Sequence, residues 1–203
     1  DRLAKIFTEL GYICVNLTYR TPRPEGLPIY QSAWQDGQRA VRLIRRAAKD
    51  RGFDPEKIGA IGFSAGSHMT VLLGSSSLTP AYQPIDELDK LPCHINLAIP
   101  VYTAYALTDG LTGRNTRDGD SIDVKLSDAF KFDANTCPMA LFHGGTDAYS
   151  PNGSIQIYRE LRRMNVPAEI HLFADRGHGF MGDPNKGENG TAFDHWIDRI
   201  TEF

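Results

Sequence analysis

The stretch of this chain most able to do chemistry is Gly62-Phe63-Ser64-Ala65-Gly66. It follows the apolar run Ile58-Gly59-Ala60-Ile61 and precedes a helix-forming run, so it reads as a short buried strand, a tight turn and a helix. Gly-x-Ser-x-Gly in that setting is a nucleophile elbow, in which a strained turn lifts a serine hydroxyl clear of the sheet edge. A side chain at either glycine is expected to crowd the turn, whose central residue sits in an unfavourable backbone region. The competing reading is an ordinary Gly-Ser turn with Ser64 as a helix N-cap.

A serine nucleophile needs a base, and the base needs an orienting carboxylate. Two later loops can supply them. The strand Cys137 to Phe142 runs into His143-Gly144-Gly145-Thr146-Asp147-Ala148-Tyr149-Ser150-Pro151, and the strand ending at Phe173 runs into Asp175-Arg176-Gly177-His178-Gly179-Phe180. In a parallel sheet such groups gather at the C-terminal edges of strands, so Asp147 and His178 should project beside Ser64. The order Ser, Asp, His along the chain is the one found in α/β-hydrolases.

The elements that must position these residues alternate. A helix over Leu3 to Leu10 stops at Gly11, Tyr12 to Leu17 reads as a strand, and residues 21–26 read as a loop. Small or apolar residues at 33, 37, 40, 41, 44 and 48 make one stripe of a helix over Ala33 to Lys49. Ile95 to Val101, Cys137 to Phe142 and Ala168 to Phe173 are further strands. A helix with Ile157, Tyr158, Leu161 and Met164 inward joins the last two, and a final helix covers Thr191 to Glu202. The result is an α/β chain, a mostly parallel sheet with helices on both faces. The exception is Tyr102 to Lys131, polar and too long for a simple connection, which is either a lid over the site or a surface excursion.

Composition excludes several classes. A length of 203 residues, with 41% hydrophobic and 23% charged, fits one globular domain, and a net charge of −3 gives no reason to expect a nucleic-acid partner. No apolar run approaches the roughly 18 residues needed to cross a bilayer. Arg42, Arg45 and Arg46 are expected on the solvated face of their helix. Cys14, Cys93 and Cys137 have no metal-ligand spacing, and Cys14 and Cys137 are expected to be buried in strands.

The chain resembles the α/β-hydrolase esterases of the feruloyl esterase and acetylxylan esterase type. The resemblance runs over essentially all of it, through Leu17-Thr18-Tyr19-Arg20, the elbow with Ser67 and His68, Asp86-Glu87-Leu88-Asp89-Lys90-Leu91-Pro92, the loop 143–151 and Gly177-His178-Gly179-Phe180. It implies a serine carboxylic ester hydrolase removing acetyl or feruloyl groups from plant polysaccharide such as xylan. In that scheme Ser64 is the nucleophile, His178 the base and then acid, Asp147 the orienting carboxylate, and the Ala65 amide one oxyanion donor. Tyr149, Phe180 and Tyr105 are candidates for lining an acyl or sugar pocket. No metal or organic cofactor is expected, and the partner is a small acyl ester or acylated oligosaccharide rather than nucleic acid or membrane. The resemblance also implies a secreted or periplasmic location.

One departure stands out. Members of this family carry a His-Gly-Gly segment upstream that completes the oxyanion hole, and nothing before Ser64 matches it. The expectation is a catalytic domain over 1–203 that lacks its N-terminal strands. His143-Gly144-Gly145 lies on the wrong side of the nucleophile to replace the segment. Two other readings share these features: a prolyl oligopeptidase-type serine peptidase, and a non-catalytic binding protein that keeps the fold.

The remaining polar residues have plain readings. His143 should pack and hydrogen-bond at the base of the acid loop, and His68 should pack in the core. His94, His171 and His195 should be surface or satisfied side chains. Asp118-Gly119-Asp120-Ser121-Ile122-Asp123 is expected to be a solvated turn rather than a calcium loop, since it lacks a downstream bidentate glutamate. Asp86, Glu87 and Asp89 should cap a short helix.

Overall fold

A computed structural model of the chain describes residues 2–21, 25–112, 114–120, 123–180 and 196–203. Four short apolar runs form its main sheet: β1 (Gly59–Phe63), β2 (Leu97–Val101), β6 (Met139–Gly144) and β7 (Ala168–Phe173). They pair in parallel in the order β1-β2-β6-β7. β6 is buried along its whole length and β2 along all but its first residue, as expected of central strands covered on both faces. Pro100 leaves a rung out of β2. Ala98 N donates to Pro138 O (3.0 Å) and Tyr102 N to Phe142 O (2.7 Å), but the amide that would come between them does not exist.

Side-chain alternation divides the core between the two faces. Ala98, Met139 and Leu141 point to one side, with Trp34 and Val41 of α2 (Gln31–Arg51), Val71 and Leu72 of α3 (Ala65–Ser75), and Ile157 and Leu161 of α4 (Asn152–Arg163). Ile99, Val101, Ala140 and Phe142 point to the other, with Trp196 and Ile200 of α5 (Trp196–Glu202) and with Leu3 and Phe7 of α1 (Arg2–Glu9). The parallel sheet with helices on both faces therefore stands as expected. Gly11, at φ 91°, ends the first helix in the left-handed region that glycine tolerates. The N-terminal part of the expected last helix lies outside the described residues.

Several expectations are corrected. Tyr12 to Leu17 forms no strand, because no described strand pairs with it, and Ile13 and Val15 are 58% and 60% exposed. Cys14 is consequently exposed, whereas Cys93 and Cys137 are buried. Cys137 precedes its strand, which begins at Met139. Arg42 and Arg45 do not face solvent. Arg45 is buried and donates to the carbonyls of Pro55 (3.2 Å), Pro92 (2.7 Å) and His94 (2.9 Å), tying its helix to the segments that enter β1 and β2. Arg42 donates to Leu91 O (2.9 Å) and Tyr82 Oη (2.9 Å), and Arg46 alone of the three is exposed. Asp86 does cap the 3-10 helix Glu87–Lys90, but it also pairs with Arg39, and the carboxylate of Asp89 meets Arg39, Tyr82 and the Ile85 amide.

The segment from Tyr102 to Lys131 holds a second, antiparallel sheet of β3 (Leu107–Asp109), β4 (Asn115–Thr116) and β5 (Val124–Leu126), in the order β4-β3-β5. Its ends are anchored, since Tyr102, Ala104, Ala106, Ala129 and Phe130 are buried. Among the described residues no helix is long and apolar enough to cross a membrane.

Candidate active site

Ser64 is the single residue between β1 and α3, and its backbone is at φ 57°, ψ −117°, with no side-chain cap bond to the helix. The N-cap reading therefore fails. Such a conformation costs about 1–3 kcal/mol for a residue with a side chain, and the surroundings hold it. Ser64 N donates to Val101 O (3.1 Å), while Ser64 O accepts from His68 N (3.2 Å) and Ala104 N (3.3 Å). The two glycines of the motif differ. A Cβ on Gly62 would overlap the Gly66 carbonyl and the Thr70 hydroxyl, so no side chain fits there. A Cβ on Gly66 would meet nothing nearer than Tyr19 Oη at 3.6 Å, which corrects the expectation that both positions are crowded.

The loops after β6 and β7 are laced together. Gly145 N donates to Phe173 O (2.7 Å) and Thr146 N to Arg176 O (3.0 Å), and a Cβ on Gly144 would overlap Arg176 O. This lacing brings Asp147 against His178. His178 Nδ1 lies 2.9 Å from Asp147 Oδ2 and 3.0 Å from Oδ1, and its Nε2 lies 2.7 Å from Ser64 Oγ. A carboxylate only accepts, so Nδ1 carries the ring proton and Nε2 is left to accept the serine hydroxyl.

The Asp147 side chain is fully buried. Burial alone would raise its carboxyl, but hydrogen bonds from His143, the Tyr149 amide (2.7 Å) and His178 prevail and hold it below the usual range. His143 is itself buried at the base of this loop, as expected. Its Nε2 donates to Tyr149 O (2.9 Å) and approaches Asp147 Oδ2 (3.4 Å), so its Nδ1 accepts from Ser154 Oγ (2.8 Å). His68 packs between Tyr30 and Phe130, with Nδ1 toward Ala104 O (3.2 Å). Burial depresses its pKa to about 4.

Around this line of three, the Tyr149 ring stands 5.0 Å from that of His178 and 5.2 Å, edge-on, from that of Tyr105. Phe180 is buried, packed against Tyr102 and Phe173. The Ala65 amide opens α3, where a helix leaves its N–H groups without intrahelical acceptors. Sequence reasoning passed over three neighbours. Tyr102 contacts His178 ring to ring (5.0 Å), and burial raises its hydroxyl to about 12. Tyr19 reaches the elbow. Arg117 lies over Tyr149 at 4.6 Å. The His143 to Pro151 motif pointed toward Tyr149, but no local signal marks Arg117, because the inserted sheet brings it there.

The residues with plain readings mostly keep them. His171 pairs with Glu169 (3.0 Å), and His94 Nε2 is 3.4 Å from Glu56. Asp118 caps a turn by accepting Asp120 N (2.9 Å). Ser121, Ile122 and His195 lie outside the described residues. Among the described residues, no three His, Cys, Asp or Glu side chains form a metal-ligand group.

The BD-FAE family model matches residues 1–109, and the dienelactone hydrolase family model matches residues 124–203. The probable carboxylic ester hydrolase LipM of Mycobacterium tuberculosis is 32% identical over 217 residues, covering 95% of this chain and 48% of that protein. Endo-1,4-beta-xylanase B of Butyrivibrio fibrisolvens is 28% identical over 184 residues, covering 85% of this chain and 28% of that protein. The chain thus spans less than half the length of either relative. Among solved structures, the acetyl ester-xyloside bifunctional hydrolase of Caldicellulosiruptor lactoaceticus superposes with a TM-score of 0.65 at 21% identity, covering 84% of this chain and 64% of that one. That likeness is one of fold, the α/β-hydrolase fold.

Proposed function

The chain belongs to the BD-FAE family, and from that premise we propose that it is a serine esterase whose nucleophile is Ser64. The observation that carries the reading is the 2.7 Å approach of Ser64 Oγ to the bare Nε2 of a histidine whose other nitrogen is held by a buried carboxylate. In this scheme Ser64 Oγ attacks the ester carbonyl as its proton passes to His178 Nε2. The oxyanion accepts a hydrogen bond from the Ala65 amide. Collapse breaks the bond to the alcohol oxygen, which leaves with the proton from His178. Water then repeats the sequence on the acyl-serine and releases the acid. Asp147 stabilises the imidazolium formed in each half. Tyr149 and Tyr105 wall the mouth, and Phe180 backs Tyr102, whose ring meets that of His178.

The substrates we propose are acyl esters of plant polysaccharide, acetyl or feruloyl. The names of two similar proteins support this class, a xylanase and an acetyl ester-xyloside hydrolase. Hydrolysis of an aryl acetate by the protein and by its Ser64→Ala variant tests the chemistry. Turnover should fall by at least about 10³-fold in the variant, and a variant that retains most of its turnover overturns the assignment. Acetate release from acetylated xylan, set against ferulate release from feruloylated oligosaccharide, then assigns the acyl group.

A further inference from the structure

The inserted sheet does more than decorate the fold. Ser150 N donates to Arg117 O (3.1 Å), Asn152 Nδ2 donates to Gly119 O (2.8 Å), and a Cβ on Gly119 would overlap the Ser150 hydroxyl. The segment around β4 is therefore docked, through one backbone bond and one from the Asn152 side chain, on the loop that carries Asp147 and Tyr149. This docking fixes Arg117 at the mouth of the site. Its guanidinium lies over the Tyr149 ring at 4.6 Å and donates from Nη2 to Tyr149 Oη (3.2 Å), and the same ring stands 5.0 Å from that of His178. Arg117 is exposed, and among the described residues no carboxylate pairs with it. Its acidic neighbours are turned elsewhere, Asp118 to the Asp120 amide and Asp120 toward Asn152 (3.4 Å).

A guanidinium presents five donors in a fixed fork that matches a carboxylate, and stacking on an aromatic face pre-orders it for that task. Among the described residues, one of those donors is engaged, by Tyr149. We propose that Arg117, stacked on Tyr149 beside His178, anchors a subsite for a carboxylate borne by the ester substrate. The inference rests on the esterase reading and deepens it: preferred esters are acidic ones, such as those on a polysaccharide that carries uronic acid.

The test compares 4-acetoxybenzoate with methyl 4-acetoxybenzoate, which share the acetyl group and differ in the carboxylate. The ratio of their kcat/KM values should fall about tenfold in Arg117→Gln, recover in part in Arg117→Lys, and decline with salt in the parent protein. Equal losses on both esters would reduce Arg117 to a structural role and overturn the subsite. A protein that hydrolyses neither ester refutes the esterase reading, and the subsite is then read by equilibrium binding of benzoate and benzamide. Weaker benzoate binding in Arg117→Gln upholds the subsite. Equal binding by parent and variant overturns it.

Discussion

His143 Nε2 lies 3.4 Å from Asp147 Oδ2, and both side chains are fully buried, so the carboxylate that meets His178 is also held from behind by a second imidazole. Replacing His143 by Phe removes that donor and strands the Ser154 hydroxyl and the Tyr149 carbonyl. A loss of about 1–3 kcal/mol is expected at pH 7, read by urea unfolding. The Asp147 carboxyl is held below its unfolded value of about 3.9, so its contribution is present above that pH and is lost as pH falls through the folded value. The gap between parent and variant should therefore narrow from pH 5 to pH 3. A gap constant across that range would contradict the role given to His143.

His68 is also held deprotonated by the fold, here through burial rather than hydrogen bonds. Its neutral form is buried and its folded pKa is about 4, whereas an unfolded histidine titrates near 6.5. Between those values the unfolded chain binds a proton that the folded chain does not, so stability falls as pH drops through this window. A His68→Phe variant should lose that slope, visible as a smaller change in urea midpoint between pH 6.5 and 4.5. An unchanged slope would place the pH dependence on other groups.

The two motif glycines should respond differently to a methyl group. Gly62→Ala forces a Cβ into the Gly66 carbonyl and the Thr70 hydroxyl and should cost about 2–3 kcal/mol or block folding. Gly66→Ala has room and gains helix propensity, so its unfolding midpoint should stay close to the parent or rise. Equal destabilisation by both would mean that the elbow is tighter than its geometry indicates.

Arg45 and Arg46 are adjacent in one helix yet should differ sharply. Arg45→Leu abandons the carbonyls of Pro55, Pro92 and His94 and should destabilise the chain by about 2–4 kcal/mol. Arg46→Leu, at an exposed position, should stay within about 0.5 kcal/mol. Thermal unfolding of the pair decides it.

Where the sequence was readable, the residues concerned sit at strand ends and next to their own punctuation. Ser64, Asp147 and His178 each follow an apolar run that becomes a parallel strand, so adjacency in the sheet could be inferred from order alone. Other features depend on partners distant in sequence. The alternation of Tyr12 to Leu17 is a strand's pattern, but a strand exists only when another pairs with it. The burial of Arg45 is set by carbonyls from three separate positions, which no helical stripe reveals. β3, β4 and β5 are two or three residues long, too short to show a period. Arg117 reaches the mouth only because that small sheet docks there.

The lacing of the two loops also has a kinetic side. Asp147 and His178 are 31 positions apart and belong to one β-α-β unit, whereas Ser64 and His178 are 114 apart. Closing the longer loop costs about 1 kcal/mol more in chain entropy. The carboxylate–imidazole pair can therefore assemble early, within its own stretch of chain, with the ring already in the tautomer that leaves Nε2 bare. On chain entropy alone, the contact that brings Ser64 to His178 is the costlier of the two to close.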